Sequence, residues 1–280
     1  MQTAVWLDGH LVDPSAPHLA VDDHGPLVGD GAFETLVVVG SGPDRVAFAL
    51  TRHLERLERS LAALGLDAPH SRTELAAAVA ETVAAAPAAH LVRVYVTSGR
   101  GPLGSGRGDG PPTTVVIAGG ARPDHRPGTA VAVFPHPRNE RGALAGVKSI
   151  SYAENVVALR HARARGATEA LFADTRGHLS EGTGSNVFWS DGERLYTPPL
   201  DTGCLAGVTR ALVVENLEVT ESHLPVADLA GASEAFLTST TRGVQSIARV
   251  DDTPLAVVDG PFTARAAAVI DRLMAEVPDP

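Results

Sequence analysis

The residue with the most distinctive chemistry in this 280-residue chain is Lys148, because it is the only lysine among 23 basic residues. Arginine stays protonated and cannot form an imine, whereas a lysine amine with a lowered pKa can act as nucleophile and base. Its surroundings, LAGVKSIS, include small residues that leave room for a bulky group against the chain. Lys148 is therefore a candidate for covalent catalysis through an imine. The alternative is an ordinary solvated surface lysine.

A second candidate is Glu181, which follows in the sequence HLSEGTGSNVFW. It lies between a predicted strand and a glycine-rich turn that leads into another strand. A carboxylic acid at such a place can protonate a pyridine nitrogen and make the ring an electron sink. The alternative is a solvated turn residue.

A third candidate is the start of a predicted helix at Gly207, Val208 and Thr209, in the sequence LAGVTRALVVENL. Free backbone N–H groups and the positive end of the helix dipole favour a phosphate there. The alternative is an ordinary helix start that Thr209 caps.

The most glycine-rich stretch, TSGRGPLGSGRGDGPP, carries Arg100 and Arg107. It is not a dinucleotide fingerprint, because the glycines run into two prolines and a strand rather than into a helix. No GK[ST] sequence follows it either. A mobile loop whose arginines bind a substrate carboxylate is one interpretation. A solvated flexible loop is the other.

Several other chemistries are disfavoured. There is no HExxH or His-rich helix face for a metal, and His53 and His161 are expected to face water. No GxSxG sequence indicates a serine hydrolase. Cys204 is the only cysteine, which excludes an internal disulfide and favours a small buried side chain in a reducing compartment.

Charge and hydropathy restrict the partners. The formal net charge of −10 and the lack of a basic run argue against nucleic acid. No uninterrupted apolar stretch is long enough for a membrane helix, and the N-terminus lacks the pattern of a secretory signal. We expect a cytoplasmic protein without a membrane partner.

Short apolar runs between Gly, Pro and Asp predict strands, and amphipathic runs after Thr51 and Ser71 predict capped helices. Ser151 and Glu154 predict a capping box for a helix from about Tyr152 to Arg165. The sequence GGARPDHRPG at 119–128 predicts a linker between domains 1–118 and 129–280. Together the runs indicate an α+β chain of two domains. Further strands are predicted around 4–7, 35–39, 46–50, 91–97, 114–118, 130–134, 170–172, 187–189, 235–238 and 247–250, and further helices at 208–217 and 261–277.

Six segments in this order resemble the fold-type IV enzymes that use pyridoxal 5′-phosphate (PLP), also called class IV aminotransferases. The resemblance implies a D-amino-acid aminotransferase-like fold, with a smaller N-terminal α/β domain and a larger, barrel-like C-terminal α/β domain. It also implies a homodimer and a small amino substrate. The segments are GDGAFET (29–35), RHLERL (52–57), LAGVKS (144–149), LSEGTGSNVF (179–188), LAGVTR (205–210) and EAFLTSTTRGV (234–244).

The resemblance assigns roles by position. Lys148 would form the Schiff base, Glu181 would contact the pyridine nitrogen, and Leu205 would pack on the ring. Tyr152 is the only candidate for the tyrosine that many transaminases place after the lysine, although its register differs. The phosphate would contact Arg56, Val208, Thr209 and Thr240, and substrate carboxylates would contact Arg93, Arg100 and Arg107.

The motifs around Lys148 and in the arginine loop look most like those of 4-amino-4-deoxychorismate lyases, which release pyruvate and 4-aminobenzoate for folate biosynthesis. We therefore expect this activity. The sequence SYAENVVALR also occurs in class IV transaminases, so a transaminase of branched-chain or D-amino acids is the first alternative. A PLP-binding protein without turnover is the second.

Overall fold

The computed structural model describes residues 3–16, 19–121 and 128–280, which fall into two compact units. The first holds the described residues up to 121 together with Val147–Tyr152 and Leu273–Pro280, and the second holds 128–146 and Ala153–Arg272. The units are therefore not the two continuous segments that the sequence predicts, and Lys148 belongs to the first unit. Residues 122–127 of the predicted linker lie outside the described residues.

The first unit is a sheet with helices on one face. Its elements are β1 (Ala4–Leu7), β2 (His10–Val12), α1 (His24–Val28), β3 (Gly31–Val39), β4 (Val46–Ala47), α2 (Leu50–Leu64), α3 (Arg72–Ala85), β5 (Leu91–Thr97) and β6 (Thr113–Gly119). In this described part the strands form one antiparallel sheet in the order β2-β1-β6-β5-β3-β4. Ala32, Leu36 and Val38 alternate along β3 and join the apolar core with α2 and α3.

Capping explains where the two long helices begin. Ser71 caps α3 as predicted, and the Glu74 side chain completes a capping box that was not predicted from the sequence. The prediction that Thr51 caps α2 is wrong, because the helix begins one residue earlier, at Leu50. The N–H and hydroxyl of Thr51 instead donate to Asp279 at 2.9 and 2.6 Å, so the carboxylate of a distant residue satisfies the first turn.

The second unit is built on a curled sheet. Its elements are β7 (Thr129–Val133), α4 (Ala153–Ala164), β8 (Glu169–Ala173), β9 (Leu179–Gly182), β10 (Asn186–Ser190), β11 (Leu195–Thr197), α5 (Val208–Asn216), β12 (Val219–Glu221), β13 (Glu234–Ser239), β14 (Gly243–Val250), β15 (Thr253–Pro254) and α6 (Pro261–Glu276). Among its described residues the strand order is β12-β11-β10-β13-β14-β7-β8-β9, and β15 pairs with β14. The short turn 183–185 joins β9, at one end of this order, to β10 near the other end.

The core of this sheet is apolar, with Leu171, Leu179 and Leu237 fully buried. The predicted capping box of α4 does not form. The Ser151 hydroxyl donates to a backbone carbonyl of the first unit at 2.7 Å, and Glu154 lies 3.3 Å from an arginine side chain. Over the described ranges, no helix is both long and apolar enough to cross a membrane.

Candidate active site

Strand pairing fixes the backbone of Lys148 against the start of β3. The Phe33 N–H donates to the Lys148 carbonyl at 3.0 Å, and the Ile150 N–H donates to the Gly31 carbonyl at 2.9 Å. The Lys148 N–H donates to the Ser60 hydroxyl of α2 at 3.2 Å. Gly31 permits this close approach, because a Cβ there would lie 2.9 Å from the Ile150 side chain and 2.3 Å from a backbone oxygen of β5. The lysine therefore projects from a backbone that neighbouring elements hold on both sides.

The Phe33 ring brings three predicted site residues together. Lys148 Nζ lies 4.4 Å from its centroid, and the Tyr152 ring packs edge-on against it at 5.2 Å. Lys148 Nζ is also 5.9 Å from the Tyr152 ring. Arg93 Cζ lies 4.9 Å from the Phe33 centroid, while Arg93 Nε donates to the Thr35 hydroxyl at 3.0 Å. Sequence reasoning gave Phe33 no role, although it lies within the GDGAFET segment.

Three charged or polar side chains are buried between β3 and α2. Arg56 Nε and Nη2 each donate to a carboxylate oxygen of Glu34 at 2.7 Å, and His53 Nδ1 lies 2.6 Å from Glu34 Oε2. Burial would raise the pKa of Glu34, but the charge of Arg56 and hydrogen bonds from Arg56 and His53 lower it to about 2. Burial lowers the pKa of His53, against the hydrogen bond with Glu34.

This cluster corrects one prediction and adds a residue. His53 does not face water, because its side chain is 1% exposed and packed against the fully buried Glu34. The sequence did contain a signal for this contact. Glu34 alternates with the core residues of β3, which places it on the buried face, and His53 and Arg56 are three residues apart, which places them on one face of α2. The contact of Arg56 with a phosphate stays a prediction.

In the second unit, Glu181 lies within β9 rather than at its end, and its side chain is 9% exposed. Arg138 Nη1 donates to Glu181 Oε1, and the Leu205 N–H donates to Glu181 Oε2 at 2.9 Å. Arg138 also donates to Asn155 Oδ1 at 3.0 Å and stacks 3.9 Å above the Phe172 ring. Sequence reasoning missed Arg138, because nothing in a chain this rich in arginine distinguishes it.

Helix α5 begins where the sequence predicts, but the alternative interpretation, in which Thr209 caps this helix, is wrong. Gly207 is the N-cap and no side chain caps it, so Thr209 lies in the first turn rather than at the cap. Asn186 donates to the Leu205 carbonyl at 2.8 Å, and a Cβ on Gly207 would lie 2.0 Å from Asn186 Oδ1. Val208 is the first helical residue, and Thr240 lies in the turn between β13 and β14.

The two loop arginines differ in how they are held. Arg100 pairs with Asp22 through two hydrogen bonds of 2.8 Å, and its side chain is 72% exposed. Arg107 pairs with Asp30 at 2.7 and 2.8 Å and also donates to two carbonyls at the end of α2 at 2.7 and 2.8 Å. Arg107 anchors the loop, whereas Arg100 is tied only at the surface.

A cysteine nucleophile and a metal site find no support in the residues that the structure covers. Cys204 is buried, and burial raises the pKa of its thiol to about 11, which is unfavourable for a nucleophile. Among those residues there is also no group of three or more His, Cys, Asp or Glu side chains that could hold a metal ion.

The sequence model of the amino-transferase class IV family matches residues 31–250, and the chain belongs to that family. A protein of Methanocaldococcus jannaschii, provisionally named a branched-chain-amino-acid aminotransferase, is 34% identical over 258 residues, 88% of each chain. A bifunctional aminodeoxychorismate lyase and D-amino acid transaminase of Mycobacterium tuberculosis is 30% identical over 263 residues, 84% of this chain and 86% of that one.

The fold agrees. The crystal structure of a branched-chain aminotransferase from Thermoproteus uzoniensis with norvaline matches 97% of this chain and 94% of its own, with a TM-score of 0.89 and 29% identity. The predicted family and the fold-type IV architecture are therefore confirmed.

Proposed function

We propose that this protein is a PLP-dependent 4-amino-4-deoxychorismate lyase. Membership of the class IV family makes it an enzyme of transaminase or lyase type with PLP as its cofactor. The finer assignment to a lyase is the proposal. The observation that carries it is the Phe33 ring, which both Lys148 and Arg93 contact.

The residues present fit the cofactor. The first unit offers the Lys148 amine for the aldehyde and the Arg56 guanidinium for the phosphate. The second unit offers the Glu181 carboxylate for the ring nitrogen, and the start of α5 has N–H groups that no side chain caps, as a phosphate requires. We propose Leu205, Val208, Thr209, Thr240 and Tyr152 as further contacts of the cofactor.

Bound PLP withdraws electrons from the substrate carbon next to nitrogen. This withdrawal of electrons makes the proton on that carbon more acidic, and residues of the chain must then move the proton. Lys148 Nζ lies 4.4 Å from the Phe33 ring centroid and 5.9 Å from the Tyr152 ring centroid, and we propose its amine as the base that takes this proton. Arg138 pairs with Glu181, and the Glu181 carboxylate is the group that would hold a protonated ring nitrogen.

The arginines suit the substrate of the lyase. Aminodeoxychorismate carries two carboxylates, whereas leucine and D-alanine carry one, and each carboxylate is best bound by an arginine fork. Arg93 contacts the same ring as the lysine, which suits it to the carboxylate nearer the reacting carbon. Arg100 is the better second candidate, because a surface pair such as Arg100–Asp22 is weak and a substrate carboxylate can replace Asp22. We propose Arg107 as the loop anchor rather than a third ligand.

Lys148 is tested by substitution. We expect Lys148→Ala to lose both the violet absorption of the bound cofactor and turnover. Lys148→Arg is the matched control, since it keeps the charge but cannot form an imine, and it should fail equally. Borohydride should fix a pyridoxyl group on Lys148 of the unsubstituted protein. Full turnover by Lys148→Ala would contradict the proposal.

The substrate needs a separate experiment. The protein is given aminodeoxychorismate, and 4-aminobenzoate fluorescence and pyruvate are followed. In parallel it is given D-alanine or L-leucine with 2-oxoglutarate, and keto acids are measured. Keto acid without aminobenzoate would exclude the lyase.

A transaminase of branched-chain or D-amino acids is the second candidate. The name of the M. jannaschii relative favours it, whereas the name of the M. tuberculosis relative includes both activities. Neither product from any substrate, with cofactor still bound, would favour the binding protein without turnover. We also propose a homodimer, which sedimentation of the loaded protein would test.

A further inference from the structure

The buried cluster of Glu34, His53 and Arg56 has a simple charge balance. Glu34 carries one negative charge and Arg56 one positive charge, and burial favours neutral His53. The cluster is therefore neutral before any anion arrives. Within the cluster, Arg56 donates to Glu34 through Nε and Nη2. The third nitrogen of the guanidinium, Nη1, therefore lies on the side that does not face Glu34.

A phosphate that approaches Arg56 upsets this balance. Its two negative charges meet a guanidinium whose charge Glu34 already neutralises, in a buried setting where unbalanced charge is costly. Within the part of the chain that the structure describes, His53 contacts both partners, with Nδ1 2.6 Å from Glu34 Oε2 and 3.4 Å from Arg56 Nη2. It is also the only one of the three that can change its charge near neutral pH.

We propose that His53 is a positioning residue that takes up a proton when a phosphate group binds at Arg56. The inference rests on the proposed function, since it requires a phosphorylated cofactor at that arginine. Glu34 and neutral His53 hold the guanidinium in place while the site is empty. Protonated His53 then adds the positive charge that the phosphate dianion needs.

The charged groups around His53 set the direction of the effect. Glu34 on β3 favours its protonated form, whereas Arg56 on α2 and Lys148 on the segment 147–152 disfavour it. In the free protein the pKa of His53 lies below its ordinary value, because burial outweighs the contact with Glu34. Bound phosphate raises that pKa. Phosphate affinity should therefore fall as pH rises from the free to the bound pKa, by up to about tenfold per pH unit.

The probe is pyridoxamine 5′-phosphate, which carries the phosphate but no aldehyde and so leaves Lys148 chemistry aside. Its binding to the cofactor-free protein is measured by calorimetry at pH 7.5 in two buffers that differ in ionisation enthalpy. The difference in heat gives the number of protons taken up. His53→Asn is the matched variant, because its amide can still donate to Glu34 but cannot titrate.

We expect the unsubstituted protein to take up close to one proton more than His53→Asn. Inorganic phosphate gives a second measurement at pH 8, where it is mostly dianionic. The uptake that the unsubstituted protein shows and His53→Asn lacks is the part that goes to His53 rather than to the phosphate itself. Equal uptake in the two proteins, or no uptake with inorganic phosphate, would overturn the role of His53. Failure of the unsubstituted protein to bind pyridoxamine phosphate would instead overturn the proposed function.

Discussion

The pair of Arg138 and Glu181 gives the sharpest prediction about stability. The two side chains are 15% and 9% exposed, so Arg138→Gln leaves a carboxylate buried without its cation. Removing one partner of a buried pair costs about 3–5 kcal/mol. Loss of the stacking on Phe172 adds about 1 kcal/mol, and the remaining bond from Leu205 to Glu181 offsets a similar amount. We therefore expect a net loss of about 4 kcal/mol.

The loss is measured by thermal unfolding of the cofactor-free protein, followed by circular dichroism. For a unit of this size about 4 kcal/mol lowers the midpoint by about 10 °C. Arg165→Gln is the matched control in the same unit, since Arg165 is 48% exposed and its nitrogen is 3.7 Å from Asp251. It should change the midpoint by about 2 °C or less. If the two variants unfold at the same temperature, Arg138 does not neutralise a buried charge.

Two further predictions concern the elements that carry the site. Gly207→Ala places a Cβ 2.0 Å from Asn186 Oδ1, so the asparagine must move and release the Leu205 carbonyl. We expect cofactor affinity to fall about tenfold in fluorescence titration, and unchanged affinity would refute this packing argument. Asp279→Ala removes the carboxylate that satisfies the first turn of α2 and should cost about 1 kcal/mol in urea unfolding. The exposed Asp252→Ala should cost nothing, and equal effects of the two would show that Asp279 is not a cap.

Local pattern was sufficient for much of the fold. The run at Leu91–Thr97 and the helix cap at Ser71 appear in the structure as predicted, because alternation and capping depend on residues close in sequence. Boundaries were less reliable where a distant residue intervenes. Helix α2 begins one residue earlier than predicted and Thr51 donates to Asp279 rather than capping the helix, and the Ser151 hydroxyl donates to a carbonyl of the first unit instead of capping α4.

The contacts of a side chain were harder to predict from the sequence than the element in which its residue lies. Motif order alone indicated Lys148, Glu181 and the start of α5, but not what each of them touches. Arg138 and Phe33 carry no local signal for their contacts, because the segment after β7 and strand β3 bring them to Glu181 and Lys148 from far along the chain. His53 was misjudged for a related reason. Its charged neighbours in sequence suggested solvent, yet the face of α2 that meets β3 needs a partner for buried Glu34.

The placement of Lys148 follows from the same logic. A short segment such as 147–152 cannot form a sheet by itself, so its fold depends on which strand edge is available. β4 pairs with only the end of β3, at Val38 and Val39, and leaves the start of β3 to be paired. The segment that carries Lys148 takes that position through Ser149 and Ala32. Because β4 has only two residues, the start of β3 stays open to pairing, and this open edge decides which unit contains the lysine. The composition of the chain carries no information about that edge.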